Sequence, residues 1–367
     1  MGRIDPRGQS LKVLAVAGDA GGARALLPVI ESLRRRPDVA VECRAYAAAS
    51  AIWDAAGLQA VAAATLWSSH FDRLLVGTSY GGERWELDYI KQASKRGVMS
   101  LAVVDSWVNY RERFESSVRE LVLPDVITAI DASSRDAMVA AGLPFDRIVI
   151  TGQPALDELM ALRQVSPFEA RSKVRKLAGR SAGELILVYV SQPLSQFMSR
   201  ERLGYDEHEV LHDLVAASEN VMVNRSCRGA FLIKLHPREQ GLSQPPRSSS
   251  RLAIEMVEDA DLSRHELVIG ADLVLGMNSM LLMEALLLRK GVISYQPGLR
   301  IADSLPANNL GWSRAVYRRR DLVSALDEEL FHPAVLEERS RRLAAIEPPR
   351  GATERVVRLL VAGNNHA

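Results

Sequence analysis

The segment at residues 271–297 constrains the fold of this chain most strongly. Its apolar run at residues 272–276 predicts a buried strand, and small polar residues then lead into a helix that begins near Ser279. A second buried strand is expected to start at Val292. This strand–turn–helix–strand unit is typical of parallel α/β sheets. Because the turn directs backbone N–H groups and the positive helix end to one point, it predicts a phosphate site at Asn278 and Ser279.

A second polar site is predicted at the end of the apolar run at residues 231–235. Pro237 should end this strand, which leaves His236 at its carboxyl edge. Side chains alternate along a strand, so Lys234 and His236 are expected on one face. Ligands of open α/β sheets bind beyond the carboxyl ends of the strands, where this cation and imidazole would suit a pyrophosphate or phosphodiester. The alternative is a capping histidine beside a solvated lysine.

Length and composition indicate an ordinary globular protein. The 367 residues suffice for about two domains of roughly 150 residues. The net charge of +1 gives no reason to expect a nucleic-acid partner. Cys43 and Cys227 lie far apart in a chain without a secretory signal, which predicts buried thiols and a cytoplasmic protein. Without CxxC or HExxH patterns we expect no metal, and the interrupted apolar runs predict no membrane span.

Strand-like and helical segments alternate along the whole chain, which predicts a parallel, doubly wound α/β architecture. We expect two Rossmann-like domains that face each other across a cleft, at residues 1–157 and 158–345, followed by a C-terminal helix or tail at residues 346–367. The predicted strands lie near residues 11–17, 39–46, 72–79, 98–104, 125–129, 147–151, 185–190, 231–235, 252–255, 272–276 and 292–295. A continuous amphipathic helix is predicted from about residue 334 to residue 361.

With both halves in view, the chain resembles the GT-B superfamily of nucleotide-sugar enzymes over most of its length. Residues 142–158 are similar to the segment that ends the first domain of UDP-GlcNAc 2-epimerases. Ser279 and Glu284 resemble the epimerase serine that meets the diphosphate and the carboxylate that meets the ribose. Residues 234–237 and 278–279 resemble the His-Pro and Ser motifs with which bacterial polysialyltransferases and CDP-glycerol glycerophosphotransferases hold the nucleotide's phosphate.

The chain departs from both groups of relatives. The strand end at residues 77–82 has no acid before Glu83, whereas the epimerases carry carboxylates at this edge. Asp105 stands roughly where those enzymes have a catalytic glutamate. One acid is few for the removal and return of a proton, which makes epimerisation the weaker expectation. Nothing in the sequence looks like the membrane-binding element expected of a polymer-elongating glycerophosphotransferase.

The sequence therefore predicts a metal-independent glycosyltransferase without a cofactor, in polysaccharide, glycolipid or secondary-metabolite biosynthesis. Its donor would be a UDP-, CMP- or CDP-linked sugar, and its acceptor a small molecule or a glycan. Two alternatives are an epimerase or hydrolase like the UDP-GlcNAc 2-epimerases, and a non-catalytic nucleotide-sugar-binding protein. A homodimer is left open. The second domain is expected to bind the donor and its phosphates through Ser191, Gln192, Lys234, His236, Asn278, Ser279 and Glu284.

The first domain is expected to hold the acceptor near Asp105. This aspartate would act as the base, with His236 and Asp19 as further catalytic groups. Trp107 and Tyr110 would stack on a sugar or a base. Phosphate or carboxylate groups would be clamped by Arg111 and Arg113. The alternative is an N-cap aspartate followed by a helix with salt bridges.

The glycine-rich turn at residues 18–23 is expected to let the acceptor approach the backbone. It lacks the spacing of a dinucleotide-binding fingerprint, so no NAD site is predicted. The alternative is a plain tight turn that needs glycine. The acceptor-side loops would contribute Gly21, Gly22, Thr78 and Ser79.

Overall fold

The computed structural model describes residues 10–62, 70–79, 83–236, 239, 246–258, 262–347 and 349–362. The chain divides into two compact units, of which the first comprises Met1–Glu158 with Pro348–Ala367 and the second Leu159–Glu347. Each unit contains one parallel sheet flanked by helices. The α/β class predicted from the alternating segments, with two Rossmann-like sheets, is confirmed.

The first sheet has seven strands in the described residues, in the order β3-β2-β1-β4-β5-β6-β7, and all neighbours are parallel. Its strands are β1 (Leu11–Ala17), β2 (Val39–Ala45), β3 (Val61–Ala62), β4 (Arg73–Gly77), β5 (Met99–Val103), β6 (Val126–Ala129) and β7 (Ile148–Ile150). The intervening helices are α1 (Ala20–Arg34), α2 (Ala47–Ala55), α3 (Trp85–Arg96), α4 (Ala132–Ala140) and α5 (Ala155–Ala161).

Both faces of this first sheet are buried, which explains why its central strands are apolar at nearly every position. Val13 and Ala15 of β1 belong to one apolar cluster, and Leu14 and Val16 to a second cluster on the other face. Helices cover both faces of a parallel sheet, so no alternation with polar residues is required. Each fully buried aliphatic side chain contributes about 1.5–3 kcal/mol to folding.

The second sheet has six strands in the described residues, in the order β10-β9-β8-β11-β12-β13, again parallel throughout. Its strands are β8 (Leu185–Val190), β9 (Gly229–Lys234), β10 (Leu252–Met256), β11 (Leu273–Gly276), β12 (Val292–Tyr295) and β13 (Arg314–Val316). The helices of the second unit are α6 (Pro167–Leu177), α7 (Arg200–Leu203), α8 (Glu207–Asn224), α9 (Arg264–Gly270), α10 (Met280–Leu287), α11 (Pro306–Asn309), α12 (Leu322–Phe331) and α13 (Pro333–Ala344). The last helix, α14 (Ala352–Ala362), belongs to the first unit. Short 3-10 turns occupy Phe145–Arg147, Leu162–Gln164, Leu194–Gln196 and Arg319–Asp321.

The prediction of one continuous C-terminal helix is wrong, because α13 and α14 are separate. Gly351 lies between them with a φ of 74°, a left-handed conformation that ends helical geometry. The Asp157 carboxylate then accepts hydrogen bonds from the backbone N–H groups of Gly351, Ala352 and Thr353 at 2.8–3.0 Å. It satisfies donors that the first turn of α14 leaves unpaired.

Helix α14 packs against the first sheet's core, although it comes from the end of the chain. Val356, Val357 and Leu360 are fully buried in the same apolar cluster as Leu26 of α1. The second unit is therefore followed in sequence by an element of the first. In the described part of the chain, no helix is both long and apolar enough to cross a membrane.

Candidate functional site

Polar residues of the first unit meet at the carboxyl ends of three neighbouring strands. Asp19 follows β1, Thr78 and Ser79 follow β4, and Asp105 follows β5. Since β1, β4 and β5 are adjacent in the sheet, these residues share one edge. The backbone N–H of Asp19 donates to Ser79 Oγ at 3.2 Å. The structure thus brings together three of the strand ends that the sequence assigned to one site.

Asp105 forms an ion pair inside the first unit. Its Oδ1 accepts a hydrogen bond from Arg113 Nη1 at 2.6 Å, while 12% of its side chain remains exposed. The same guanidinium nitrogen donates to the carbonyl and hydroxyl oxygens of Thr78, both at 2.9 Å. Arg113 is only 5% exposed. Its guanidinium therefore joins the ends of β4 and β5. For Arg113, the structure shows the salt bridge considered as the alternative to a clamp on a substrate.

The other oxygen of Asp105 lies against the start of α1. A Cβ atom added to Gly21 would lie 1.7 Å from Asp105 Oδ2. Any larger residue at this position would therefore displace the carboxylate. Asp19 caps the same helix, because its Oδ1 accepts from the N–H of Gly22 at 2.7 Å. Two carboxylates consequently lie at the start of α1.

We predict that Gly21→Ala lowers kcat by roughly tenfold to a hundredfold, since displacement of a reacting group by about 1 Å is that costly. Alanine is favoured over glycine within a helix by about 1 kcal/mol, so the helix itself should tolerate the change. Steady-state kinetics together with thermal unfolding test this. Unchanged kcat in a folded variant would show that the position of Asp105 does not matter to turnover.

Gly22 serves packing rather than a ligand. A Cβ atom there would lie 3.2 Å from the Cα of Gly77, so the start of α1 approaches the end of β4 backbone to backbone. This contact requires small residues on both sides. For Gly22, this contact agrees with the alternative of a tight turn that needs glycine.

Trp107 and Tyr110 have little free surface. Each is 8% exposed, and Trp107 Nε1 donates to Asp131 Oδ2 at 2.7 Å. Burial and the Asp131 charge raise the pKa of Tyr110. Arg111 Nη1 lies 3.4 Å from the carbonyl oxygen of Ala141 at the end of α4. Tyr110 belongs to an apolar cluster of the first unit, and the stacking of the two rings on a sugar or base stays a prediction.

Glu86 is a buried carboxyl group at this edge that the sequence analysis missed. It is 3% exposed, and its Oε1 accepts hydrogen bonds from Gly18 N at 2.9 Å and from Ser79 Oγ at 2.6 Å. The signal was present in the helical periodicity. Glu86 shares its spacing with Tyr89, Ile90 and Ala93 on the buried side of α3.

In the second unit, strand β8 lies between the two predicted phosphate motifs. Ser191 N donates to the carbonyl oxygen of Lys234 at 2.9 Å, and Gln192 Oε1 accepts from Asn278 N at 3.1 Å. Strands β9 and β11 flank β8 directly. The residues after these three strands therefore share one edge, with Ser191 and Gln192 between the segment of His236 and the turn before α10.

A carboxylate, Glu239, lies beside the predicted anion site. Its Oε2 accepts from His236 N at 2.7 Å and its Oε1 from Ser191 Oγ at 2.8 Å. A phosphate that used these two donors would have to displace Glu239. Strand β9 ends at Lys234, which is 9% exposed. The alternation of side chains along a strand therefore does not extend to His236, which corrects the reason given for placing Lys234 and His236 on one face.

The turn before α10 places Ser279 at the start of this helix. Ser279 is the N-cap residue, and its Oγ accepts from Leu281 N at 3.2 Å. Asn278 Nδ2 donates to Ser304 Oγ at 2.8 Å. The other end of this amide, Oδ1, is buried and has no partner among the described residues.

Asp303 organises the loop that follows β12 and was not anticipated from sequence. Its Oδ2 accepts hydrogen bonds from Gln296 Nε2 at 2.8 Å, Asn308 Nδ2 at 2.7 Å and Tyr317 OH at 2.7 Å. Burial and the Asp303 carboxylate raise the pKa of Tyr317 to about 12, which keeps its hydroxyl protonated. Asp303 thereby fixes the loop that carries Ser304, the partner of Asn278.

Glu284 is paired with two cationic or ionisable side chains. Its Oε2 lies 2.7 Å from His265 Nε2, and its Oε1 lies 3.4 Å from Arg264 Nη2. Both oxygens thus have partners from the first turn of α9. If Glu284 meets a ribose, as the resemblance implies, these two residues orient its carboxylate. Over the described residues, no cluster of His, Cys, Asp or Glu could hold a metal ion.

Comparison with solved structures identifies the fold. No protein-family model matches the chain, and no curated protein matches it by sequence. The UDP-GlcNAc 2-epimerase from Neisseria meningitidis, bound to UDP-GlcNAc, is 15% identical with a TM-score of 0.64 over 96% of this chain and 100% of that one. The chain has the fold of these epimerases. The Methanocaldococcus jannaschii UDP-GlcNAc 2-epimerase, also 15% identical, gives 0.63 over 96% and 100%.

A further similar structure is Anabaena Alr3699/HepE in complex with UDP and glucose. It is 13% identical, with a TM-score of 0.53 over 96% of both chains. The predicted GT-B-like fold is thus confirmed. The Neisseria structure contains UDP-GlcNAc and the Anabaena structure contains UDP, and the Neisseria and Methanocaldococcus proteins are epimerases rather than glycosyltransferases.

Proposed function

We propose that this chain binds a UDP-linked sugar and acts on that sugar itself, as a 2-epimerase or a hydrolase does. The observation that carries this proposal is the pair of carboxylates, Asp19 and Asp105, that both lie at the start of α1. From sequence, a single acid was counted against epimerisation. Two neighbouring carboxylates remove that objection, because inversion at a carbon needs one group to take a proton and another to return one. The epimerase fold of the whole chain supports the same conclusion.

In the second unit, the N-terminus of α10 with Ser279 and His236 would hold the diphosphate, while Glu284 would bind the ribose. The first unit would supply Asp105 and Asp19 for proton transfer. Uridine is favoured over cytidine because the epimerase and HepE structures contain UDP or UDP-GlcNAc.

Incubation with UDP-GlcNAc in deuterated water, without any acceptor, tests this function. We expect a mannose-configured sugar that carries deuterium at carbon 2, visible by NMR. An epimerase leaves this sugar linked to UDP, whereas a hydrolysing epimerase adds water at carbon 1 and releases the sugar together with free UDP. Release of UDP with an unchanged, undeuterated sugar would indicate the hydrolase. Turnover only after an acceptor is added would contradict the proposal, and so would binding of UDP-GlcNAc without any turnover.

Glycosyl transfer is the second candidate. HepE contains UDP together with glucose, so this fold accommodates a nucleotide and a separate sugar. Asp105 alone would then act as the base for a hydroxyl of a small-molecule or glycan acceptor. A panel of acceptors in the same assay distinguishes the two, because a transferase would consume the donor only in their presence.

A further inference from the structure

The carboxyl group of Glu86 connects three segments of the first unit. It lies in the first turn of α3, and its Oε1 accepts from Gly18 N, which follows β1, and from Ser79 Oγ, which follows β4. Its Oε2 contacts the hydroxyl of Tyr46, which follows β2. The carboxyl group is thereby enclosed below the edge that carries Asp19.

The hydrogen bonds around Tyr46 indicate where a proton resides. Its hydroxyl oxygen accepts from Trp85 N at 3.1 Å and lies 3.1 Å from the carbonyl oxygen of Glu83. A tyrosine has one hydroxyl proton, which cannot serve both this carbonyl and an ionised Glu86. If Glu86 Oε2 carries a proton, it donates to Tyr46, and the tyrosine proton goes to Glu83. Every donor and acceptor in the cluster is then paired.

The electrostatic surroundings of Glu86 favour the same state. Burial raises its pKa, and the Asp19 carboxylate raises it further. The hydrogen bonds from Ser79 and Tyr46 lower this pKa, and each is a smaller effect than burial but a larger one than the Asp19 charge. The N-terminal dipole of α3 also favours the ionised form. Among the residues that the structure describes, the titratable groups that face Glu86 are Tyr46 and Asp19, neither of which is a cation.

We propose that Glu86 is a neutral carboxylic acid in the folded protein, and that its proton fixes the edge formed by Gly18, Asp19 and Ser79. Glu86 is a positioning residue, because its carboxyl group is enclosed and acts on Asp19 through the backbone of Gly18 and through Ser79. Ionisation would place a second negative charge beside Asp19 and leave one acceptor near Tyr46 without a donor. The protonation state of Glu86 is independent of the proposed function, whereas its positioning role rests on that function.

Glu86→Gln separates the neutral from the ionised form, because glutamine has the shape of the acid and donates from Nε2. A folded-state pKa above the unfolded value means that wild-type stability falls as pH rises from about 4.3, the ordinary glutamate value, through the folded-state pKa. Glutamine does not titrate, so the stability of Glu86→Gln relative to wild type should rise with pH. Asp88→Asn is the matched control, since Asp88 is an exposed acid of the same helical turn.

Chemical denaturation at a series of pH values provides this measurement, and infrared spectroscopy provides a second. At neutral pH, wild type should show a protonated-carboxyl stretch that Glu86→Gln lacks and Asp88→Asn retains. A constant stability difference between wild type and Glu86→Gln across pH, with no such band, would overturn the proposal. Both measurements work whether or not the protein acts on a UDP-sugar.

The positioning role is tested by pH profiles of kcat/KM for the deuterium-exchange reaction. We expect Glu86→Ala to lose about tenfold or more in kcat at every pH, as misplacement of a reacting group predicts. Glu86→Gln should restore most of that loss and extend activity to higher pH than wild type. If Gln is as impaired as Ala while the infrared band is present, the positioning role is wrong and the protonation stands. Inactivity of wild type itself would count against the proposed function instead.

Discussion

Asp105→Asn should lower kcat on UDP-GlcNAc by about a hundredfold or more, the usual contribution of a general base. Asparagine keeps an oxygen that can accept the hydrogen bond from Arg113, but it cannot take a proton. The residue after β5 would therefore keep its place while the proton transfer is lost. Because Asp105 belongs to the first unit and the proposed diphosphate site to the second, the affinity for UDP should not change.

Asp88→Asn is the control for this experiment, since it removes an exposed carboxylate from the same unit. It should retain full turnover. Kinetics, calorimetric titration with UDP and thermal unfolding together separate the outcomes. If Asp105→Asn binds UDP, remains folded and turns over as fast as wild type, then Asp105 is a structural partner of Arg113 and another group is the base.

His236→Ala is expected to reduce turnover by about a hundredfold, comparable to the loss of one donor that stabilises developing charge. The hydrogen bond between residue 236 and Glu239 comes from the backbone N–H, so the substitution leaves it in place. Only the imidazole is removed. The affinity for UDP should fall with turnover, because the same side chain would contact the diphosphate in the substrate and in the product.

His208→Ala provides the comparison, since His208 is an exposed histidine on α8 of the same unit. It should behave like wild type in UDP titration and in kinetics. Normal affinity and normal turnover in His236→Ala would leave His236 as a residue at a strand end without a role in phosphate binding. That outcome would favour the capping alternative considered from sequence.

The fold could be predicted because the central strands of both sheets are buried on two faces. Segments such as Leu11–Ala17 and Leu185–Val190 are almost entirely apolar, and helical segments separate them. The edge strands β3 and β13 were missed, because they contain only two and three residues. A pattern that repeats every second residue cannot be recognised over so short a length.

The candidate site could be predicted only as far as strand ends define it. Residues that follow adjacent parallel strands must share an edge of their sheet. This rule places Asp105 at the edge of the first sheet and Ser279 at the edge of the second without knowledge of any contact. Partners that are distant in sequence were not predictable. Glu86 meets Gly18 across 68 positions, and Glu284 meets His265 across 19. The sequence offered salt bridges in this segment as an alternative, but it did not indicate that Arg113 would pair with Asp105.

A crystal structure of the complex with UDP tests the central claim most directly. We expect the diphosphate at the carboxyl edge of the second sheet, against Ser279 and the start of α10. The imidazole of His236 should contact it, and Glu239 should be displaced. UDP bound at any other surface, or no binding at millimolar concentrations, would contradict it.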